Sequence, residues 1–114
     1  MNLKDFSETN RRRSESPDGF GHALHDWSLS DWFTATMGEL GEAANVAKKL
    51  NRYRDGINGN KETEAELRTK LAAELADTFI YLDLLAQAAG IDLAAAVVKT
   101  FNAKSDELGC AIKL

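Results

Sequence analysis

The sequence predicts an all-α protein, and three observations carry that prediction. A single proline, Pro17, occurs in 114 residues, so nothing after it interrupts a helix. Two long segments, 28–53 and 63–89, carry apolar residues at helical spacing. No stretch alternates apolar and polar residues as a half-buried strand would.

Each element has its own signals. Asn2 caps a short helix over 3–13, with Leu3 and Phe6 on one side. Residues 14–27 form a loop, because Ser14-Glu15-Ser16-Pro17-Asp18-Gly19 is rich in turn formers. Phe20, His22, His25 and Trp27 give that loop rings and imidazoles suited to packing over something. Ser28 or Ser30 caps the second helix, which runs to about Tyr53. Its apolar stripe is Trp32, Thr36, Leu40, Ala43, Ala47 and Leu50, widened by Phe33 and Ala44. Asp55-Gly56-Ile57-Asn58-Gly59-Asn60 is the turn signal that follows. The third helix spans about Thr63 to Ala89, with Leu67, Leu71, Leu75, Phe79, Leu82 and Ala86 as its stripe. Gly90 ends it, and Asp92 caps a fourth helix to about Ser105, with Leu93, Val97 and Phe101 inward. Residues 107–114 are a tail. From Leu71 onward helix three is apolar almost all round, because Ala73, Ala76, Ile80 and Leu84 line its other side. A helix apolar on two sides is buried on two sides, and in so small a chain the second cover is expected to be another subunit.

Length and composition fit one soluble domain over residues 1–114, with 1–27 as N-terminal helix and aromatic loop and 28–106 as the helical core. A net charge of −4 argues against a general nucleic-acid binder, and Arg11-Arg12-Arg13 reads as a solvated helix end. Cys110 is the single cysteine, which excludes an intrachain disulfide. Met1–Phe6 lacks the apolar core of a signal peptide and no apolar run approaches a membrane span, so a cytoplasmic protein without a membrane partner is expected.

Four carboxylates stand out. Glu39 and Glu42 are three apart in helix two, and Glu74 and Asp77 are three apart in helix three, so each pair shares a helix face. The pairs lie symmetrically about Asn58 in the turn. An antiparallel hairpin brings Glu42 level with Glu74 and Glu39 level with Asp77. All four lie on the edge of the apolar stripe or just beyond it, where a solvated acid would sit opposite. Acids so placed repel one another unless a cation lies between them. A di-iron bundle would use Glu-x-x-His pairs, and zinc would draw on His or Cys. An all-carboxylate set suits Mg²⁺ or Mn²⁺, and Mg²⁺ commonly shares its shell with substrate phosphates. A polyphosphate needs cations beyond the metal. Lys49 lies near Glu42 around the helix, and Lys99, Asn102 and Lys104 cluster late in helix four. His22 and Trp27 suit a stacked base, while Asn45 and Asp83 suit base edges or a sugar. Trp32 sits on the stripe and reads as core.

The run Trp32-x4-Met37-Gly38-Glu39-Leu40-Gly41-Glu42-Ala43-Ala44-Asn45-x2-Lys48-Lys49, then Glu74-Leu75-Ala76-Asp77-x3-Tyr81-Leu82, Gly90-Ile91-Asp92-Leu93 and Lys99-x-Phe101-Asn102-x2-Ser105, resembles a small single-domain MazG-like protein. That family belongs to the all-α nucleoside triphosphate pyrophosphohydrolases, related to dimeric dUTPases and small dCTP pyrophosphatases. The resemblance covers residues 27–106. It implies a MazG-like helical bundle whose four-helix core is completed by dimerisation, often paired again into a tetramer. It implies Mg²⁺-dependent cleavage of a (d)NTP to (d)NMP and pyrophosphate, as housecleaning of the nucleotide pool. It places Glu39, Glu42, Glu74 and Asp77 on the metal-binding acids, with Glu39 or Glu42 orienting or deprotonating the attacking water. Lys49, Asn102 and Lys104 fall near positions that meet phosphates. Many members begin the first acidic motif with two adjacent glutamates; here Gly38 precedes Glu39. Two other readings stand beside it. A non-catalytic oligomeric helical interaction or regulatory module would explain the apolar second face, and a hydrolase of another anhydride would explain the acids.

Overall fold

The computed structural model describes residues 1–114 and is helical throughout, with no strand. The elements are α1 (Leu3–Glu15), one 3₁₀ turn (Leu24–Asp26), α2 (Leu29–Asp55), α3 (Glu64–Ala88) and α4 (Leu93–Leu108). No single helix is long and apolar enough to cross a membrane. The chain divides into two compact units, Ser28–Leu82 on one hand and Met1–Trp27 with Asp83–Leu114 on the other. The end of α3 and all of α4 group with the N-terminal segment.

In the unit 28–82, α2 starts at a capping box. Ser28 Oγ accepts from the Asp31 N–H at 3.2 Å, and the Ser28 N–H donates to Asp31 Oδ2 at 2.9 Å. The helix stops at Gly56, which takes the left-handed conformation (φ 68°) that a side chain resists. The Ile57 N–H then returns to the Arg52 carbonyl at 2.8 Å. Asn60 ties the connector down by donating from Nδ2 to the Lys49 carbonyl at 2.7 Å, and the Tyr53 hydroxyl donates to the Glu62 carbonyl. Thr63 opens α3 with a second capping box, its Oγ1 accepting from the Glu66 N–H at 3.1 Å. The two helices run antiparallel. Trp32 meets Tyr81 at 6.5 Å between ring centroids, and Lys49 and Lys70 meet on one carboxylate of the connector.

The buried side of this hairpin differs from the expected stripes. Trp32, Thr36, Ala43 and Val46 are buried on α2, and Leu67 is fully buried on α3. Leu40, Leu75 and Leu82, expected inward, are exposed, as are Phe33 and Met37. The reason is angular. At about 100° per residue, Leu40 stands about 80° from Trp32 around the helix, whereas Glu39 stands about 20° away. Leu75 and Glu74 stand in the same relation to Leu67. Of the face expected to be covered by a partner, Ala73 and Ala76 are exposed, Ile80 is half-buried and Leu84 is buried. The flank carrying Phe33, Met37 and Leu40 on α2 and Leu75 and Leu82 on α3 is open as well.

In the second unit, Asn2 caps α1 as expected, its Oδ1 accepting from the Lys4 N–H at 2.8 Å. The inward side of α1 is polar. Asn10 and Ser14 are buried, and Asp83 near the end of α3 has no exposed surface. Asp83 accepts from the Ser7 hydroxyl, from Asn10 Nδ2 at 2.9 Å and from Gln87 Nε2 at 2.9 Å. The loop folds back on α1 through reciprocal bonds between Ser14 and His22: the Ser14 hydroxyl donates to the His22 carbonyl at 3.0 Å, and the His22 N–H to the Ser14 carbonyl at 2.7 Å. Asp92 caps α4 by accepting from the Ala95 N–H at 3.0 Å. That helix outruns the expected end at Ser105 and stops at Gly109, which is again left-handed (φ 68°).

The Asp83 cluster sets a stability test. Asp83→Ala strands the buried Asn10 donor and the half-buried donors on Ser7 and Gln87 and should cost about 2 kcal/mol. Urea unfolding measures it.

Candidate metal centre

The four acids all belong to the α2–α3 hairpin unit. Glu39 lies two turns beyond Trp32, and Glu74 two turns beyond Leu67, so each acid stands over a fully buried side chain of its own helix. Both are consequently half-buried. Glu39, Glu74 and Asp77 each offer a carboxylate oxygen, and these oxygens lie within 4.8 Å of one another. Glu42 is close enough to raise the pKa of both Glu39 and Glu74. Interaction of Glu39 with Asp77 and of Glu42 with Glu74 is what the antiparallel hairpin requires.

The electrostatics are those of a crowded anionic site. Burial, then the charges of Glu42 and Asp77, push the Glu39 carboxyl above its ordinary value. Glu74 is pushed up to about 7, first by burial, then by the hydrogen-bonding contact and charge of Glu42 and by Glu39. Glu74 Oε2 is enclosed and has no hydrogen-bond partner in the chain. Buried polar oxygens are almost always satisfied, so this atom asks for a proton or a cation. The donors are all carboxylate oxygens, which fits Mg²⁺ or Mn²⁺ and not a thiolate- or imidazole-seeking metal.

A cavity of about 530 Å³ adjoins the acids. Glu42 and Glu74 line part of it, and Asn45, Lys49, Glu62 and Lys70 line more. Gly38 and Gly41 contribute no side chain to its wall. Glycine inside a helix costs about 1 kcal/mol relative to alanine. A Cβ added at either position would meet no atom within 4 Å, so packing inside the chain does not explain them. Their effect is to leave room beside the carboxylates.

Of the expected substrate residues, Lys49 and Asn45 line this cavity. The rest belong to the other unit and have partners there. His22 packs edge-on against Trp27 with centroids 4.6 Å apart, and its Nδ1 is 3.7 Å from Asp26. Asn102 is bonded in both directions to the main chain of Leu114, at 2.9 and 3.2 Å. Lys104 pairs with Glu107 at 2.7 Å. Asp83, expected to read a base edge or sugar, is sealed inside its unit and saturated by Ser7, Asn10 and Gln87. Glu62 and Lys70 escaped the sequence reading. Counting back from the acid pairs would have found Lys70, which the hairpin register sets close to Lys49. The chain matches no family model, no curated protein and no solved structure.

The raised pKa of Glu74 has a signed consequence. The folded state binds this proton more tightly than the unfolded state does, so its stabilising contribution is fully present below the ordinary carboxylate pKa of 4.5. It is lost as pH rises through about 7. With EDTA present, the melting temperature should therefore fall between pH 5 and pH 7.5. Glu74→Gln should flatten that fall, and millimolar Mg²⁺ or Mn²⁺ should restore the melting temperature at the higher pH.

Proposed function

We propose that this chain is a Mg²⁺-dependent nucleoside triphosphate pyrophosphohydrolase of the MazG-like kind, cleaving (d)NTP to (d)NMP and pyrophosphate. The observation that carries the reading is the group of Glu39, Glu74 and Asp77 oxygens within 4.8 Å, with Glu42 beside them and one enclosed oxygen unsatisfied. Glu39 and Glu74 are half-buried on the inward sides of two helices, with Glu42 and Asp77 exposed beside them, a placement that a purely solvated acidic face does not require. The ordered likeness of residues 27–106 to MazG-like motifs selects the nucleotide substrate and the α–β bond.

In this reading Glu39, Glu42, Glu74 and Asp77 hold the divalent ion. When bound, that ion supplies positive charge against the polyphosphate and makes a water more acidic. Glu39 or Glu42, one turn apart on α2, orients the attacking water or takes its proton. The water oxygen bonds to the α phosphorus, and the bridging oxygen leaves with pyrophosphate. Lys49 offers its ammonium to the phosphate tail along the cavity. Asn45 faces the same cavity, which suits a hydrogen bond to the nucleotide.

The same reading takes the protein as a homodimer or homotetramer. Phe33, Met37 and Leu75 are each more than half exposed and form part of an apolar flank along the hairpin. Such a surface is the usual mark of an interface. An interaction module would use that flank too, so the carboxylates separate the two readings.

Incubation with a mixture of dNTPs and Mg²⁺, resolved by ion exchange, should give monophosphate and pyrophosphate as the first products. Glu39→Gln, Glu42→Gln, Glu74→Gln and Asp77→Asn should each lower turnover by about 10²-fold or more while the protein stays folded. Diphosphate as the main early product would refute the assignment, and full activity in any two variants would refute the site. Light scattering should give a mass of at least twice 12.5 kDa, reduced by Met37→Asp.

A further inference from the structure

Two lysines from different helices converge on one anion in the cavity. Lys49 Nζ on α2 lies 3.1 Å from Glu62 Oε1, and Lys70 Nζ on α3 lies 3.2 Å from the same oxygen. Two ammonium groups sharing one anionic oxygen is an arrangement that a phosphate oxygen fills equally well. Glu62 belongs to neither helix. It stands in the connector just before the Thr63 cap, and the Tyr53 hydroxyl holds its carbonyl. Its backbone is therefore fixed, while its carboxylate reaches over to the lysines. The side chain is only 17% exposed, against 31% for Lys49 and 56% for Lys70. The cavity continues from this triad to Glu42 and Glu74.

We propose that Glu62 is the resident occupant of an anion site built by Lys49 and Lys70, and that a phosphate group binds there by displacing the Glu62 carboxylate. The inference rests on the pyrophosphohydrolase reading for the identity of the phosphate, which is the tail of the substrate or the pyrophosphate product. The two lysines carry two positive charges against one on Glu62, so the triad by itself attracts an anion, while Glu42 and Glu74 elsewhere in the same cavity oppose it until a cation occupies them. Hydrogen bonding from Lys49, then the backbone and Lys70, hold Glu62 down to about pKa 2. It remains charged across the working pH range and leaves by competition, not by protonation. Glu62 thus sets a threshold: a ligand with a single weak charge does not displace it, and a polyphosphate does. Opening moves only one side chain on a connector and leaves both helix caps in place.

The test uses inorganic phosphate as probe, with EDTA present so that the acids contribute through no metal. Binding is followed by amide NMR at residues 49, 62 and 70, beside a thermal melt of each variant. A latch closed most of the time weakens apparent affinity in proportion to its closed fraction. Glu62→Gln and Glu62→Ala should therefore bind phosphate at least about tenfold more tightly than the parent. Adding Lys70→Ala to Glu62→Ala should remove the gain. Equal affinity in the parent and both Glu62 variants overturns the proposal. So does a lower melting temperature with no gain in phosphate affinity, which is the behaviour of a structural staple. A gain that survives loss of Lys70 overturns it as well. A phosphate gain without nucleotide turnover supports the anion site and removes the enzyme reading, whereas nucleotide turnover without that gain removes the anion site alone.

Discussion

Repulsion among Glu39, Glu42, Glu74 and Asp77 is the constraint around which the α2–α3 hairpin is organised. Two of these acids take positions on the buried stripe that a leucine would fill in an ordinary hairpin. Burying a leucine there would contribute about 1.5–3 kcal/mol, so the hairpin forgoes that twice and adds like-charge repulsion. What holds the acids together is the rest of the unit. Trp32 and Leu67 anchor the helices one below each acid, and capping boxes at Ser28 and Thr63 fix where each helix begins. The Gly56 turn and the Asn60 and Tyr53 bonds fix the register of the return.

Around the acids the charges are sorted. Lys49 and Lys70 do not neutralise the carboxylates of the cluster; they bind Glu62 instead. The acids keep their unmet demand for a cation, and the lysines hold an anion that can be exchanged. Gly38 and Gly41 keep the intervening space open. The cavity therefore has an end suited to a hard cation and an end suited to phosphate, which is the polarity a metal-bound polyphosphate presents.

Much of the fold was legible because helix punctuation is local. Asn2, Ser28, Asp92, Gly56 and Gly90 act within a few residues of themselves, and each stands at or beside an end in the structure. The acid grouping was legible because two pairs at i, i+3 related by a single turn leave little freedom. The inward face was less so. Stepping by four from Trp32 leads to Leu40, although seven residues make nearly two full turns and lead to Glu39. Hydrophobicity favours Leu40 as the inward residue, and the chain overrides that preference. Asp83 was misread for a related reason. Its partners Ser7 and Asn10 lie more than seventy residues earlier on a helix whose inward side is polar, and no local pattern announces that pairing. Lys70 could be reached by counting along the hairpin register, whereas Glu62, in the connector, needed the three-dimensional cavity to distinguish it from other surface charges.

Direct titration of Mn²⁺, followed by the electron paramagnetic resonance of the free ion at pH 7.5, addresses the central claim without assuming a substrate. If the four carboxylates form a metal centre, the free-ion signal is lost as the protein is added. Run again near pH 6.5, the same titration should release more protons per ion bound than at pH 7.5, because Glu74 titrates at about 7 and metal binding displaces its proton. The Glu39→Gln/Glu74→Gln double variant then leaves the signal intact. A free-ion signal that the parent protein and the double variant reduce equally would contradict the account.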